Sequence, residues 1–283
     1  MSRAIRSRRT AAEDTVPDRE PLPLLRGYDH VLLDLDGCVR IGREPTPRAP
    51  EAIDALRAAG KRIAFVTNAT EHTPEDLVRS LWRSGIRASV EEIVTVGTAV
   101  QFLVADRPQW RTAYVIGPPA IWRHVQDAGA RIVNGTEEAA VADVVVATGT
   151  KDLAFEELKG ATQALLEGAD LLSGGRDRTF PTPDGPWPGT GAVAAFLEYA
   201  AEVTAEMVGK PDPGIFRTAL DRLGPGRALM VGDRLDSDLD GARAAGIDGA
   251  IVLSGVTTAA QAAAADPPPV AVAATLADLV LGG

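Results

Sequence analysis

Short apolar runs alternate with amphipathic segments along most of the chain. The runs 30–35 (HVLLDL), 62–67 (RIAFVT) and 92–96 have the length and continuous hydrophobicity of strands buried on both faces of a parallel sheet. Between them, residues 50–59 and 74–84 carry apolar side chains on one helical face, and a glycine follows each segment. This alternation predicts an α/β fold with a Rossmann-like, doubly wound parallel sheet.

The alternation is repeated in the middle of the chain and again near its end. Near the end, the predicted strands 228–232 and 250–253 flank a helix around 242–245, and the Ala/Pro-rich run 259–269 is predicted as a surface connection. The middle has its own strands at 113–116, 143–147 and 170–172, and its own helices near 120–128, 155–167 and 191–201.

We therefore predict an α/β domain inserted into another. Residues 27–106 and 207–283 would form the core, and residues 107–206 the insert, with a Pro/Gly-rich loop at 181–191. Residues 1–26 are polar, rich in Arg and Pro and without periodicity, which is typical of a disordered tail.

The composition of the chain limits the functions that are compatible with it. The 283 residues carry a net charge of −10 at pH 7, with a pI near 4.9. Phosphate backbones and anionic membranes repel such a protein, so we expect neither a nucleic-acid partner nor a membrane partner. A local site can still oppose the global charge and bind a small phosphorylated metabolite. Cys38 is the only cysteine, and no signal-like segment is seen, which favours a reducing cytoplasm.

Two carboxylates stand at the end of the first predicted strand. Asp34 ends the apolar run and Asp36 follows two residues later, before Gly37 turns the chain. At the carboxyl end of a parallel strand both would face a ligand site. Their mutual repulsion is relieved if a divalent cation binds between them or if one is protonated, although a solvated acidic turn has the same sequence.

Two further polar motifs follow predicted strands or precede helices. Thr67 and Asn68 end the strand 62–67, where a hydroxyl and backbone N–H groups can bind phosphate oxygens or simply cap the next helix. Lys210 precedes a proline, which favours an extended conformation, and could pair with a phosphate or stay exposed in a loop.

A fourth motif follows the strand 228–232. Asp233 ends that strand and is a natural metal ligand, while Asp238 can reach back over the first helical turn. The alternative is an acidic helix N-terminus, which the helix dipole favours, and we apply it to Asp236 and Asp240.

In this order, the motifs DxDG, Thr-Asn, Lys and GDxxxxD resemble those of the haloacid dehalogenase-like hydrolase superfamily. The long insert, ending in the runs 188–191 (PGTG) and 208–211 (VGKP), looks like that of its type IIA subclass. That group includes phosphatases of glycerol phosphate, phosphoglycolate, nucleotides, pyridoxal phosphate and p-nitrophenyl phosphate. The resemblance implies a magnesium-dependent phosphatase, with the insert as an α/β cap over the active site that sets substrate specificity.

The resemblance also implies the chemistry of the acidic motifs. Asp34 would be the nucleophile that forms an aspartyl-phosphate intermediate. Asp36 would be the general acid and then the general base. Mg²⁺ would be bound by Asp34, Asp233 and the backbone carbonyl of Asp36.

The remaining motifs would bind the phosphate and place the lysine. Thr67 and Asn68 would hold the phosphoryl oxygens. Lys210 would stabilise the charge of the transition state and orient the nucleophile, and Asp238 would hold Lys210 or metal-bound water.

The chain departs from the subclass at two places. Ala69 stands where many members have a second asparagine, and Gly175 lies in a loop that often reads Thr-Asn-x-Asp. Arg176 in this loop would contact an anionic or hydroxyl-rich leaving group, or else be an exposed loop arginine. These departures leave the physiological substrate open.

Other functions use only some of the same residues. A dehalogenase would not need an acid at Asp36, and a glycosyltransferase with a DxD motif would leave Lys210 and Asp233 unused. A non-catalytic protein that binds phosphorylated ligands on the same fold remains an alternative. A homodimer formed through the cap is compatible with the subclass.

Overall fold

The computed structural model describes residues 23–182 and 185–282. Its strands are β1 (His30–Leu33), β2 (Arg40–Ile41), β3 (Glu44–Pro45), β4 (Arg62–Thr67), β5 (Ile93–Thr95), β6 (Thr112–Ile116), β7 (Arg131–Ile132), β8 (Val144–Ala147), β9 (Asp170–Ser173), β10 (Thr179–Thr182), β11 (Gly185–Pro188), β12 (Glu206–Met207), β13 (Ala228–Gly232), β14 (Asp248–Val252) and β15 (Ala271–Ala273). Its helices are α1 (Ala49–Ala58), α2 (Pro74–Arg83), α3 (Val96–Ala105), α4 (Pro119–Asp127), α5 (Phe155–Leu166), α6 (Thr190–Ala201), α7 (Pro213–Leu223), α8 (Asp240–Ala244), α9 (Ala259–Ala263) and α10 (Leu276–Leu281). None of these helices has the length and hydrophobicity to cross a membrane.

Six parallel strands form the larger sheet, in the order β15-β14-β13-β1-β4-β5. Strand β1 lies in the middle, with His30 opposite Ala228 on one side and Arg62 on the other. Alternate residues of β1 point to opposite faces: Leu33 enters one apolar cluster and Leu32 another. Helices α1, α2 and α10 cover the first face, and α3, α7 and α8 the second. The predicted doubly wound parallel sheet is confirmed.

Five parallel strands form a second sheet, in the order β12-β9-β8-β6-β7. Helices α5 and α6 cover one face. Its other face shares a single apolar cluster with helices α3 and α4. We call the six-stranded sheet with its helices the core, and the second sheet with α4, α5, α6 and the β10–β11 hairpin the insert. The exact limits predicted for the two domains stay a prediction.

Helix α3 was absent from the predicted elements. Its sequence (VGTAVQFLVA) is apolar on nearly all sides because it is buried between the core and the insert. Such a segment lacks the one-sided pattern by which a surface helix is recognised.

Three expectations about irregular segments were wrong in part. The predicted loop 181–191 contains the end of β10 and the whole of β11, which pair with each other. The predicted connection 259–269 begins with helix α9, because alanine favours helix and Thr258 caps its first turn. Residues 23–26 of the predicted tail belong to a 3₁₀ helix that buries Leu25, while residues 1–22 lie outside the described residues.

Candidate active site

Three adjacent strands place the predicted motifs side by side. Asp34 follows β1, Thr67 ends β4 and Asp233 follows β13, and these strands are neighbours in the sheet. Because the strands are parallel, their carboxyl ends meet at one edge, where ligands bind in open α/β sheets. All three residues are at most 6% exposed.

Lys210 lies at the centre of this edge. Its Nζ donates to Asp34 Oδ1 at 2.5 Å, to Asp238 Oδ1 at 2.7 Å and to the carbonyl of Val66 at 3.1 Å. The three contacts use the three N–H donors of the ammonium group. The lysine is 4% exposed, so these contacts also compensate the loss of its hydration.

The side chain of Asn68 holds the backbone of Lys210. Asn68 Oδ1 accepts from the Lys210 N–H at 2.8 Å, and Nδ2 donates to the Lys210 carbonyl at 3.0 Å. The amide predicted to bind phosphate is thus engaged with the protein. Thr67 Oγ1 accepts from the N–H of Ala69 at 3.1 Å, which leaves the hydroxyl hydrogen of Thr67 for another acceptor.

Asp233 lies in a cradle formed by two glycines. A Cβ atom at Gly37 would lie 2.5 Å from its carboxylate, and one at Gly255 would lie 1.9 Å away. Gly37 also has a φ of 106°, which side chains rarely adopt. The N–H of Val256 donates to Asp233 Oδ2 at 2.7 Å. These contacts fix one carboxylate oxygen and leave the other for a ligand.

The carboxylate of Asp238 is fully engaged. Oδ1 accepts from Lys210, and Oδ2 accepts from the N–H groups of Asp233 at 3.1 Å and Arg234 at 3.0 Å. Asp238 therefore holds the lysine and the turn that carries Asp233.

The buried carboxylates fit a magnesium ion. Asp34, Asp233 and Asp238 each offer an oxygen, and these atoms lie within 4.8 Å of one another. Asp34 Oδ2 and Asp233 Oδ1 are buried and have no hydrogen-bond partner, which is costly unless a cation binds them. Oxygen donors are what Mg²⁺ prefers. Since Asp238 is already engaged, Asp34 and Asp233 are the two carboxylates that could hold the metal.

The charge balance points the same way. Burial raises the pKa of Asp34 to about 8, because Lys210 only partly offsets the cost of burial and the repulsion by Asp238. Burial likewise raises the pKa of Asp233. Burial alone would lower the pKa of Lys210, but Asp238 and Asp34 outweigh it and raise that pKa. When all three carboxyl groups are ionised, three negative charges face one ammonium group, and a divalent cation would balance the excess of two.

Asp36 is placed differently from the buried cluster. Its side chain is 52% exposed, whereas the side chain of Arg40 beside it is 10% exposed. Arg40 binds both carboxylate oxygens, with Nε to Oδ1 at 2.9 Å and Nη2 to Oδ2 at 3.3 Å. Arg40 Nη1 also donates to Ser80 Oγ of α2 at 3.4 Å.

A cleft of about 810 Å³ lies over these residues, between the core and the insert. Asp34, Asp36, Thr67, Lys210 and Asp233 all line it. The insert contributes Gly149, Lys151, Asp177, Thr179, Gly189 and Thr190.

One ion pair joins the two sides of the cleft. Lys151 Nζ of the insert lies 3.4 Å from Glu71 Oε1 of the core, and both side chains are about half exposed. The mouth of the cleft therefore carries a cation from the insert.

The structure does not bring Arg176 to this cleft. Its guanidinium makes a bidentate ion pair with Glu198 of α6, with Nη1 and Nη2 at 2.8 and 3.0 Å from the carboxylate oxygens. Glu198 also accepts from the N–H of Ala205. A partner within the insert thus satisfies this guanidinium, and the adjacent Asp177 lines the cleft instead.

Sequence reasoning missed several residues of the site. Arg40 and Lys151 were not singled out, and neither was the Gly255–Val256 segment that supports Asp233. Gly255 offered a weak signal, since it follows an apolar strand near the carboxyl edge of the sheet. Arg40 offered another weak signal, since it lies four residues after Asp36. That spacing brings two side chains together on a helix, but this segment is not a helix.

Comparison with known families agrees with this geometry. A family described as haloacid dehalogenase-like hydrolase matches residues 31–131, and one described as HAD-hydrolase-like matches residues 207–279. The two matches contain every motif residue of the cluster described above.

Named relatives cover most of the chain. It is 35% identical to a D-glycerol 3-phosphate phosphatase of Mycobacterium tuberculosis over 82% of this chain, and spans 65% of that relative's length. It is 30% identical to a dihydroxyacetone phosphatase of Corynebacterium glutamicum, covering 88% of this chain and 89% of that protein. A glycerol phosphate phosphatase structure from M. tuberculosis in complex with magnesium superposes with a TM-score of 0.82, at 31% identity, covering 91% of this chain and 78% of that one.

The fold, the carboxylate cluster and these relatives define one class: the chain belongs to the haloacid dehalogenase-like hydrolase superfamily. Its particular place is among the phosphatases of the type IIA kind, with a second α/β layer over the active site.

Proposed function

We propose that this protein hydrolyses small phosphate monoesters in the presence of Mg²⁺, with Asp34 as the nucleophile. One observation carries the proposal: Asp34 Oδ1 is bound to Lys210, while Oδ2 is buried at the cleft without a partner. A carboxylate held in this way can attack phosphorus, which divides one difficult displacement into two easier steps.

In the first step, an oxygen of Asp34 forms a bond to phosphorus while the ester P–O bond breaks. Asp36 donates a proton to the leaving oxygen, which departs as an alcohol. In the second step, Asp36 takes a proton from water, the water oxygen bonds to phosphorus, and the bond to Asp34 breaks. Inorganic phosphate leaves and the Asp34 carboxylate is restored.

The first step brings a dianionic ester to an anionic nucleophile, and the second brings water to a phosphoryl group that still carries negative charge, so positive charge is required. Magnesium held by Asp34, Asp233 and the backbone carbonyl of Asp36 would supply part of that charge as a Lewis acid. The ammonium group of Lys210 supplies the rest and keeps the nucleophile oriented. The hydroxyl of Thr67 and the backbone N–H groups after β4 are suited to bind phosphoryl oxygens.

The residues of the insert favour a hydroxylated leaving group. Thr179 and Thr190 offer hydroxyls, Asp177 a carboxylate and Lys151 an ammonium group within the same cleft. A polyol or small sugar can donate to and accept from such a mixed set. The relatives named for glycerol phosphate and dihydroxyacetone phosphate point to the same class.

The test is hydrolysis of p-nitrophenyl phosphate and glycerol 3-phosphate by purified protein, with Mg²⁺, with excess chelator, and after Mg²⁺ is restored. We expect activity with Mg²⁺, loss with chelator and recovery on addition. Ca²⁺ should restore little, because its larger coordination shell fits an octahedral site poorly. Full activity in excess chelator would contradict the proposal.

We also propose that the insert mediates a homodimer. Helices α5 and α6 carry Phe155, which is 71% exposed, and Tyr199, which is 90% exposed. Light scattering of the wild type and of Tyr199→Ser tests this, since a monomeric wild type would refute it. A cytoplasmic location stays a prediction, supported by the lone, buried Cys38.

A further inference from the structure

The pairing of Arg40 with Asp36 has no counterpart among the four sequence motifs. Arg40 belongs to β2 of the short β2–β3 hairpin, four residues after Asp36. Backbone contacts fix this turn: the N–H of Arg40 donates to the carbonyl of Leu35 at 2.9 Å, and the N–H of Gly37 donates to the carbonyl of Arg40 at 2.7 Å. The backbone that carries the arginine side chain is therefore fixed.

The side chain is fixed at its far end as well. The arginine side chain is 10% exposed, and it spans from Asp36 to Ser80 of α2. A guanidinium this buried needs a charged partner, and Asp36 is the carboxylate that the structure gives it. Its planar fork sets the plane of the carboxylate as well as its position.

The same carboxylate faces the ligand. Asp36 lines the cleft with Asp34, and half of its side chain is exposed there. Each carboxylate oxygen can accept more than one hydrogen bond, so contact with Arg40 does not occupy the whole group. Asp36 is therefore held by Arg40, which lines the same cleft, and still has room to contact a ligand.

We infer that Arg40 is a positioning residue for the leaving-group step: it holds the Asp36 carboxyl group at the place from which it meets the ester oxygen. This inference rests on the proposed function, in which Asp36 serves as the acid. Proton transfer requires hydrogen-bond geometry, and a displacement of about 1 Å can cost on the order of a hundredfold in rate.

The choice of leaving group separates positioning from general damage. p-Nitrophenolate is a stable anion and departs with little help, whereas the alkoxide of glycerol 3-phosphate must be protonated as it leaves. Dephosphorylation of Asp34 is common to both substrates. The ratio of kcat/KM for glycerol 3-phosphate to that for p-nitrophenyl phosphate is therefore independent of dephosphorylation, and its change in a variant reports what happens at the leaving group.

The experiment measures this ratio, with Mg²⁺ present, for wild type, Arg40→Met, Arg40→Lys and Asp36→Asn. Arg40→Met keeps the apolar part of the side chain. Because the side chain of Asp36 is half exposed, the substitution does not leave a buried carboxylate without a partner. We expect the ratio to fall roughly ten- to hundredfold in Arg40→Met, with p-nitrophenyl phosphate turnover nearly retained. Arg40→Lys should recover part of the ratio, since it restores the charge but not the fork.

Arg57→Met is the matched control. Arg57 makes a bidentate pair with Glu92, at 2.5 and 3.0 Å, on a different cavity of the core. Its loss should leave the ratio unchanged even if the melting temperature drops. In the double variant of Arg40→Met with Asp36→Asn, the ratio should equal that of Asp36→Asn alone, because the arginine acts through the aspartate.

The outcomes distinguish two failures. Provided that Asp36→Asn lowers the ratio, either of two results in Arg40→Met overturns the positioning role. One is a ratio that is unchanged or higher, and the other is an equal loss of kcat/KM on both substrates. If Asp36→Asn itself leaves the ratio unchanged, Asp36 is not the acid, and both the proposed mechanism and the inference about Arg40 fall.

Discussion

Asn68 and Lys210 stand 142 positions apart, yet the amide of one makes both possible hydrogen bonds to the backbone of the other, at 2.8 and 3.0 Å. The chain between them contains the whole insert. The amide therefore fixes the lysine at the point where the chain returns to the core.

Replacing Asn68 with alanine should lower kcat for p-nitrophenyl phosphate about ten- to hundredfold, because Lys210 would no longer be held at Asp34. Steady-state kinetics and a thermal melt measure the effect. Asn134→Ala is the control, since Asn134 makes the same reciprocal pair with the backbone of Val115 in the insert. Equal losses of activity in both variants would show that only stability had changed.

Asp34→Asn should abolish turnover while the fold is retained, because the amide is nearly isosteric but a poor nucleophile. Asp36→Asn should also be severe, yet it could still trap a phosphoryl group on Asp34. Activity assays and mass spectrometry of acid-quenched protein measure both effects. Asp240→Asn, an exposed carboxylate paired with Arg243, should behave as wild type. Near-normal turnover in Asp34→Asn would end the proposed mechanism.

The stability of the metal-free protein should depend on pH through Asp34. Its pKa rises from 3.8 to about 8 on burial, so the folded state holds this proton more tightly than the unfolded state. The stabilisation that the folded state gains from this proton is complete below about pH 4 and is lost as the pH rises towards 8. In chelator, the free energy of unfolding of wild type should fall across this window.

Urea unfolding at several pH values compares wild type with Asp34→Asn, which has no such proton to lose. We expect the advantage of Asp34→Asn to grow as the pH increases, and saturating Mg²⁺ to remove the pH dependence of wild type. Parallel stability curves for the two proteins in chelator would refute this assignment of the pKa.

Lys151 and Arg176 should differ in their effect on substrate choice. Arg176 is paired with Glu198 away from the cleft, so Arg176→Ala should leave kcat/KM unchanged for every substrate. Lys151 lines the cleft, and Lys151→Ala should raise KM for a leaving group with a carboxylate, such as phosphoglycolate. We expect up to roughly tenfold, because this lysine is half exposed.

Kinetics on phosphoglycolate and glycerol 3-phosphate measure the difference, with Lys159→Ala as a control. Lys159 is an exposed lysine of the insert that pairs with Glu156 within α5. A rise in KM for Arg176→Ala on either substrate would restore the original expectation for that residue.

The sequence predicted the parts of the site whose signals are local. Asp34, Thr67 and Asp233 each end an apolar strand, and parallel strands bring their carboxyl ends to one edge whatever the loops do. The strands 62–67 and 228–232 were predicted to the residue, because continuous apolar runs define their own ends.

The contacts between distant segments could not be predicted in this way. The partner of Arg176 lies 22 residues away in the next helix, and that of Lys151 lies 80 residues back across the cleft. Whether an arginine contacts a substrate or a glutamate depends on tertiary packing, which the hydrophobic periodicity of the sequence does not indicate. The resemblance assigned Asn68 to the phosphate, which stays a prediction, and nothing in the sequence indicated its contact with the backbone of Lys210.

The two glycines around Asp233 have a consequence for how the protein tolerates change. Gly37 and Gly255 carry no reactive group, yet any side chain at either position would push against the carboxylate. A saturation screen for activity would therefore show the same intolerance at these positions as at the nucleophile. Intolerance alone would misidentify them as reactive residues, when their contribution is the space that they leave empty.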